Sequence, residues 1–516
     1  MKKIVLSAIV LLGSFGVFAE GELDAIRYSG TDLNGTARGV SMGGAFGALG
    51  GDLTGININP AGLGVYRSSE ISGSLSFSTA NTKTDLQGDY APKTALDNVA
   101  YVGYYPTFGN KLRAFNFGFS YSRLKSFDRN YQTEAPNSVS MIDFMAEILY
   151  GFYPNEIHYE NLQAPWLGVL GCQTLIVEPI SNSPKEIEYQ SIFPVGKPES
   201  RLKVSENGVI SSFDLSIGAN FSDRFYLGAT LSLADISYYM TSRYEEGLIG
   251  GGFSLENTLE TQGNGFQLKL GAIFKPTDAL RFGVSYHSPT WYSMTNYYSG
   301  WINANYRGVH EFSPTPDAPD NYTNYTLNTP SAWTFSAAGV LGGKAILSLD
   351  YEMKLFQEMF LARDFYEKDY YDHENTWIKD DFKIASTLRF GAEFRFTPQF
   401  SGRLGYAWMQ NPYNNSFASN PTAYDDYSKQ YQYKNLIVGT VPHFTVNGDT
   451  HYFTAGIGYK FTPQFYMDLA FLTRMQTDDL YYFPSYERDD VKILKSNAIE
   501  LNNLTFKGLL TMGYKF

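Results

Sequence analysis

The residues able to do covalent chemistry are few and poorly placed for it. The chain has six histidines, His158, His287, His310, His373, His443 and His451, and one cysteine, Cys172. None of the histidines stands in a recognisable arrangement with a serine or cysteine nucleophile. No CxxC pair or metal-ligand cluster is present, so no catalytic residue, no metal and no cofactor are expected and the chain is not read as an enzyme. The glycine run Gly43 to Gly51 is not followed by Gly-Lys-Ser/Thr, which removes the phosphate-loop reading. An axial ligand for hemin would need only a His or Tyr, and 40 tyrosines with loop histidines His158, His310 and His373 keep hemin capture open as an alternative. Otherwise the chemistry suggested is non-covalent. Charges recur at alternate positions of apolar segments, an arrangement suited to binding a small amphipathic molecule.

Basic candidates of this kind are Lys269, Arg281, Arg389, Arg395, Arg403, Lys460, Arg474, Lys507 and Lys515; acidic ones are Asp214, Asp350, Glu352, Glu393 and Asp468. In a chain of formal net charge −12 this set is biased positive, which favours an anionic head group. Neighbours such as Arg389, Glu393 and Arg395 have a second reading, as partners of one another.

These side chains need strands to hold them. Ile71, Gly73, Leu75 and Phe77 alternate with serines; Phe115, Phe117, Phe119 and Tyr121 alternate with small polar residues; Phe213 to Ala219 and Phe225 to Leu233 repeat the pattern. Successive side chains on a strand point to opposite faces, so each segment has one apolar and one small, polar face. Tight-turn signals fall at Phe108-Gly109-Asn110, Ser222-Asp223, Pro276-Thr277-Asp278, Gly342-Gly343, Thr397-Pro398-Gln399 and Thr462-Pro463-Gln464. Long Tyr/Asn/Asp-rich stretches lie between them at 125–207, 299–329, 356–382 and 412–449. Alternating short and long connections are the pattern of an outer-membrane barrel, lipid outside and a polar lumen inside. The expected fold is all-β, a transmembrane antiparallel β-barrel of about fourteen strands, with no exposed edge.

Composition agrees. Aromatic residues are 16% of the 516-residue chain and charged residues only 18%, against about 25% in soluble domains. The acidic balance argues against nucleic acid as a partner. Residues 1–19, with Lys2, Lys3, an apolar run and Val17-Phe18-Ala19, read as a secretory signal peptide. Residues 68–516 would form the barrel. Its last strand would end on Phe516, which resembles the signal read by the barrel assembly machinery.

Residues 20–67 are different. They are Gly-rich and do not alternate, which suits a small segment folded into the lumen. Gly35-Thr36-Ala37-Arg38, Met42-Gly43-Gly44-Ala45-Phe46 and Asn59-Pro60-Ala61 together resemble the N-terminal hatch of the FadL-type family, outer-membrane transporters of long-chain fatty acids and other hydrophobic compounds. Some relatives of this look are labelled hemin receptors. The resemblance implies a fourteen-stranded barrel with an N-terminal hatch in its lumen, in the outer membrane of a Gram-negative bacterium. A hydrophobic ligand would be captured at extracellular loops and passed through the lumen, with exit sideways at a kinked third strand. Here strand three offers only Gly118 and no proline, which puts that exit in doubt. Arg38 and Phe46 are candidate ligand contacts, Arg38 for a head group or for a hatch–barrel bond. In the loop 125–207, Ser138 is a candidate helix cap ahead of Met141, Ile142, Phe144, Met145, Ile148 and Leu149. These form either an apolar groove for a lipid tail or a helix packed against neighbouring loops. A monomer in the lipid bilayer is expected; a structural porin or adhesin is the remaining alternative.

Overall fold

The computed structural model describes residues 21–516, apart from residues 87, 110, 135–138, 162–163, 181–186, 195, 307–320, 364–367, 420–438 and 489–490. The signal-peptide reading of 1–19, and Asn110, Ser138 and His310, therefore lie outside the described residues.

The alternating segments form a closed barrel of fourteen antiparallel strands. They are β1 Glu70–Lys83, β2 Asp89–Pro106, β3 Leu112–Ser126, β4 Glu199–Phe221, β5 Phe225–Leu248 and β6 Gly251–Phe274. β7 comes in two pieces, Leu280–His287 and Trp291–Tyr306, and so does β8, Asn321–Asn328 and Ala332–Leu341. The remainder are β9 Ala345–Leu355, β10 Ile384–Arg395, β11 Phe400–Met409, β12 Thr450–Lys460, β13 Phe465–Tyr481 and β14 Ile499–Lys515. Closure is direct, because Glu70 of β1 pairs with Val102 of β2 and with Lys515 of β14.

The outward face is apolar and exposed: Phe77 is 59% and Phe213 57% accessible. In water this band would be costly; in hydrocarbon it is the stable arrangement. Each tight-turn signal falls on a connection at one rim, where both ends of the barrel chain also lie. Ser222 and Asp223 (φ 55° and 57°) and Gly342 and Gly343 (φ 56° and 68°) have the two positive φ angles of a primed hairpin turn.

At the opposite, loop-bearing rim the stretches expected as loops hold more strand than the sequence suggested. β4, β5 and β6 are 23, 24 and 24 residues long. They stand well beyond the roughly 9–11 residues that cross a membrane. β5 and β6 are joined there by a tight turn at Ile249 and Gly250. The expected loop 125–207 contains a short strand, Arg129–Thr133, and two helices, here α4 (Met141–Glu147) and α5 (Trp166–Gln173), before β4 begins. Three wall strands lose their ladder at one level, at 288–290 in β7, at 329–331 in β8 and beyond Leu355 in β9. Pro289 and Pro330 sit in the first two breaks, where a residue without an N–H cannot donate to a neighbouring strand.

Candidate functional site

The hatch is built from helix ends. Among the first hundred residues, α1 is Glu22–Ser29, α2 Ala37–Ser41 and α3 Leu53–Ile58, followed by a 3₁₀ turn Pro60–Val65. Thr36 accepts the Gly39 N–H at 3.1 Å, Asp52 accepts Thr54 N–H at 2.9 Å and Asn59 accepts Ala61 N–H at 3.1 Å. Each cap satisfies an N–H that a short helix leaves unpaired. The Asn59 amide also donates to the carbonyls of Gly47 (2.7 Å), Ala272 (3.2 Å) and Val284 (3.4 Å). Asn59-Pro60-Ala61 thus lies flat on β5, β6 and β7. A Cβ at Gly228 would stand 2.3 Å from the Pro60 carbonyl carbon, so a glycine is required there. Gly43, at φ 64°, turns the hatch against β11, where a Cβ would stand 2.7 Å from the Tyr406 carbonyl oxygen.

Hydrogen bonds fasten the hatch to the wall on many sides. Ala37 N–H donates to Thr511 of β14 (2.7 Å), Gly43 N–H to Thr454 of β12 (3.1 Å) and Gly47 N–H to Asp350 of β9 (2.9 Å). Asn116 of β3 donates to the Leu63 carbonyl at 2.7 Å, Ser285 of β7 to the Ile58 carbonyl at 2.7 Å, and Arg281 to the Leu49 carbonyl at 2.5 Å.

Arg38 is committed to such a bond. Its Nε donates to Glu393 at 2.9 Å, and Arg403 donates to the same Glu393 oxygen at 2.7 Å and to Asp468 at 2.6 Å. The guanidinium lies over the Phe46 ring, 5.3 Å from its centroid, and Phe46 is fully buried. Of the two readings of Arg38, the geometry realises the hatch–barrel bond. Arg389 pairs with Glu352 at 2.9 Å rather than with Glu393. Arg395 does not line the lumen beside them. It is exposed at the turn rim, because the strand ends there and its inward parity has no lumen to face.

The second expected site, the apolar loop helix, is an enclosed core. Ser140 caps α4, with its side chain accepting the Ile142 N–H at 3.0 Å. Met141, Ile142, Phe144, Met145 and Leu149 are 0% exposed and Ile148 2%. They pack with Trp166, Leu167 and Leu170 of α5, with Phe483, and with the inward faces of the tall strands. An open groove on this surface is therefore corrected to a closed cap. Apolar side chains in a loop meet one another when enough of them are available to exclude water. A ligand would reach them only after the cap opens.

Between cap and hatch lie two neighbouring cavities, of about 260 and 170 Å³. Gly30, Thr31, Asp32 and Lys354 line both, so the strap that joins α1 to α2 divides them. α1 itself climbs to the cap, where Tyr28 donates to Thr261 of β6 at 2.7 Å. The larger cavity is ringed by charge of both signs, with Arg27, Lys125, Arg129, Lys354 and Arg474 against Asp32, Asp128, Glu206, Glu352 and Asp478. Arg129 is spent on Glu206 (2.6 Å) and Asp478 (3.4 Å). Three cations are not spent in this way. Lys125 donates to the Arg27 carbonyl at 2.6 Å, Lys354 to the Thr31 hydroxyl at 3.1 Å, and Arg474 to the Gln476 side chain. None of them has a carboxylate within 4.0 Å among the described residues. The Arg474 Nε is buried with no acceptor. Phe127, Met240 and Met409 supply apolar surface to the same space. His443 also lines it, whereas His287 is bonded to the Ile58 carbonyl at 3.0 Å.

The sequence reading included Arg474 but missed Lys125 and Lys354. Lys354 shares the inward parity of Asp350 and Glu352, so the signal was present. Lys125 was hidden by a bulge, for β3 slips register against β4 between Arg123 and Lys125. That bulge turns the Leu124 carbonyl to the hatch, where it accepts the Asp32 N–H at 2.8 Å. A second bulge, in β2, brings Asp97 into the lumen, buried against Lys507 at 2.7 Å and against Arg123.

No family model matches the chain, and no curated protein matches its sequence. Solved structures do. A Pseudomonas aeruginosa FadL homologue is similar with a TM-score of 0.54 and 13% identity, over 94% of this chain and 99% of that one. The P. putida toluene transporter TodX gives 0.53 at 11% identity, and the Ralstonia pickettii toluene transporter TbuX 0.50 at 12%, each over 94% of this chain and 99% of the other. At these identities the likeness is one of fold, and the chain has the fold of the FadL-type outer-membrane transporters.

Proposed function

We propose that the protein is a passive outer-membrane channel for hydrophobic or amphipathic small molecules, with long-chain fatty acids as the ligand class. The observation that carries this reading is the cavity above the hatch, where Lys125, Lys354 and Arg474 share the lining with Phe127, Met240 and Met409 and, among the described residues, make no ion pair within 4.0 Å, the carboxylates of Asp32 and Glu352 lying farther off in the same lining. A carboxylate head would complete their bonding and leave its chain beside Phe127, Met240 and Met409. The ligand leaves water at the cap, at roughly 0.8 kcal/mol per buried methylene, and is held above the hatch. Displacement of the hatch then opens the way on. The loop rim faces the cell exterior and the turn rim the periplasm, the usual sense of such barrels. Phe516 acts during assembly, and the mature chain works as a monomer in the bilayer without a cofactor. The fold of two toluene transporters supports a hydrophobic cargo; the three cations that make no ion pair within 4.0 Å among the described residues favour one with an anionic end.

The test is equilibrium binding of a long-chain fatty acid and of the matching alcohol to the purified protein. Lys125→Met with Arg474→Met removes two charge-assisted bonds, each worth about 1.5–3 kcal/mol. Fatty-acid affinity should fall at least tenfold and alcohol affinity should hardly change. Equal losses for both ligands, or none, would overturn the head-group assignment.

A further inference from the structure

The tall strands β5 to β8 have an inner face buried in the cap and an outer face left open. Register aligns that outer face in rows. Leu233, Phe266 and Trp291 form the last row of the apolar band. Above it come Asp235, Asn264, Ser293 and Thr326, and then Ser237, Gln262, Thr295 and Asn324. The next row is Tyr239, Glu260, Tyr297 and Tyr322. The tyrosines are 39%, 46% and 61% exposed, and the rings of Tyr297 and Tyr322 are 6.2 Å apart. By contrast Tyr238 and Tyr298, one residue from Tyr239 and Tyr297, and Tyr325, three from Tyr322, are on the inner face or its continuation and at most 4% exposed.

We infer that this outer face binds saccharide, and that its occupant is the sugar portion of the lipopolysaccharide surrounding the barrel. Two features of the face select that chemistry. Amide and hydroxyl side chains both donate and accept, as sugar hydroxyls do, and a row of tyrosines offers flat apolar surface with a polar tip. The three rows contain no Lys or Arg, and their carboxylates are Asp235 and Glu260, so the face is not made for phosphate. Position selects the source. Six residues separate the tyrosine row from the apolar row, about 20 Å along a strand. With a tilt of about 45° that is roughly 14 Å above the hydrocarbon edge. The face continues directly upward from the lipid contact, where the sugars of a glycolipid lie.

The inference rests on the outward orientation of the loop rim but not on the cargo. Its test uses purified full-length protein in detergent, with two probes: the oligosaccharide released from lipopolysaccharide by mild acid, and inorganic phosphate. The oligosaccharide should bind and phosphate should not. Tyr297→Ala with Tyr322→Ala, and separately Gln262→Leu with Thr295→Val, should each weaken oligosaccharide binding at least fivefold. Fatty-acid binding in the lumen should remain at the parent level in both variants. Unchanged oligosaccharide affinity in both variants, or phosphate binding as strong as the sugar's, overturns the inference. Absence of fatty-acid binding in the parent, with oligosaccharide binding intact, would instead overturn the cargo and leave this face assigned.

Discussion

Glu393→Gln is the most informative single change in the hatch. Glu393 is 5% exposed and receives Arg38 from the hatch at 2.9 Å and Arg403 from β11 at 2.7 Å. A glutamine of the same size keeps one acceptor but loses the charge, and its NH₂ would meet a guanidinium. Arg403 retains Asp468 at 2.6 Å; Arg38 loses its ion pair and keeps the Phe46 ring and a neutral acceptor. Removing one partner of a buried ion pair costs about 3–5 kcal/mol, because the other charge is left uncompensated. If the hatch opens as a unit, its opening equilibrium should rise roughly a hundredfold or more. The assay is hydrogen exchange on the purified barrel, following amides of 37–49 against those of β4 to β6. Exchange should accelerate in the hatch while the barrel strands stay protected. Arg403→Met should give a smaller acceleration, since Arg38 and Glu393 remain paired. Equal exchange in parent and Glu393→Gln would refute the idea that this pair holds the hatch. Loss of protection everywhere would show that it holds the barrel instead.

Other perturbations probe the remaining contacts. Gly228→Ala puts a methyl into the Pro60 carbonyl group; overpacking of about 1–3 kcal/mol should loosen 59–66 to protease while heat-resistant barrel mobility in gels persists. Ile148→Asp with Leu149→Asp buries two charges in a cap where these side chains are 2% and 0% exposed. The cap should become protease-sensitive, and unchanged resistance would argue against its being a packed core. Glu374, on the loop helix α6 (Asp372–Asp381), is raised by burial from 4.5 to about 7. The folded helix therefore holds a proton that the unfolded one releases, and about 3 kcal/mol of local stability should be present below pH 4.5 and lost as the pH rises to 7. Exchange of the 372–381 amides at pH 5 and 7.5 checks the sign, and Glu374→Gln should flatten the difference.

Much of the architecture was legible in residue order because barrel strands are a local code. One face must suit lipid, the other must not, and the period is two. Hence Phe213, Leu215 and Ile217 declare the outward face without any knowledge of neighbours, and Ser222-Asp223 and Gly342-Gly343 declare turns by their tolerance of positive φ. Asn59-Pro60-Ala61 marked the hatch only through the family resemblance; the structure shows why it sits there, as a cap and a turn start in three residues. The code fails where a single residue is inserted. The bulges near Asp97 and Leu124 flip every inward position beyond them, so Asp97 and Lys125 could not be placed by parity.

Other features depended on distance partners altogether. The pattern of Met141 to Leu149 said that these side chains would avoid water, but an apolar side chain is satisfied equally by a ligand, a membrane or another loop. Only the folded chain brings Trp166, Phe483 and the tall strands to them. The same holds for charge. Sequence determined that cations would line the lumen; tertiary contact decided which were neutralised, leaving Arg38 to Glu393, Arg389 to Glu352, and Lys125, Lys354 and Arg474 facing a cavity. Alternation is settled within a strand, whereas ion pairing is settled across the barrel by residues hundreds of positions apart.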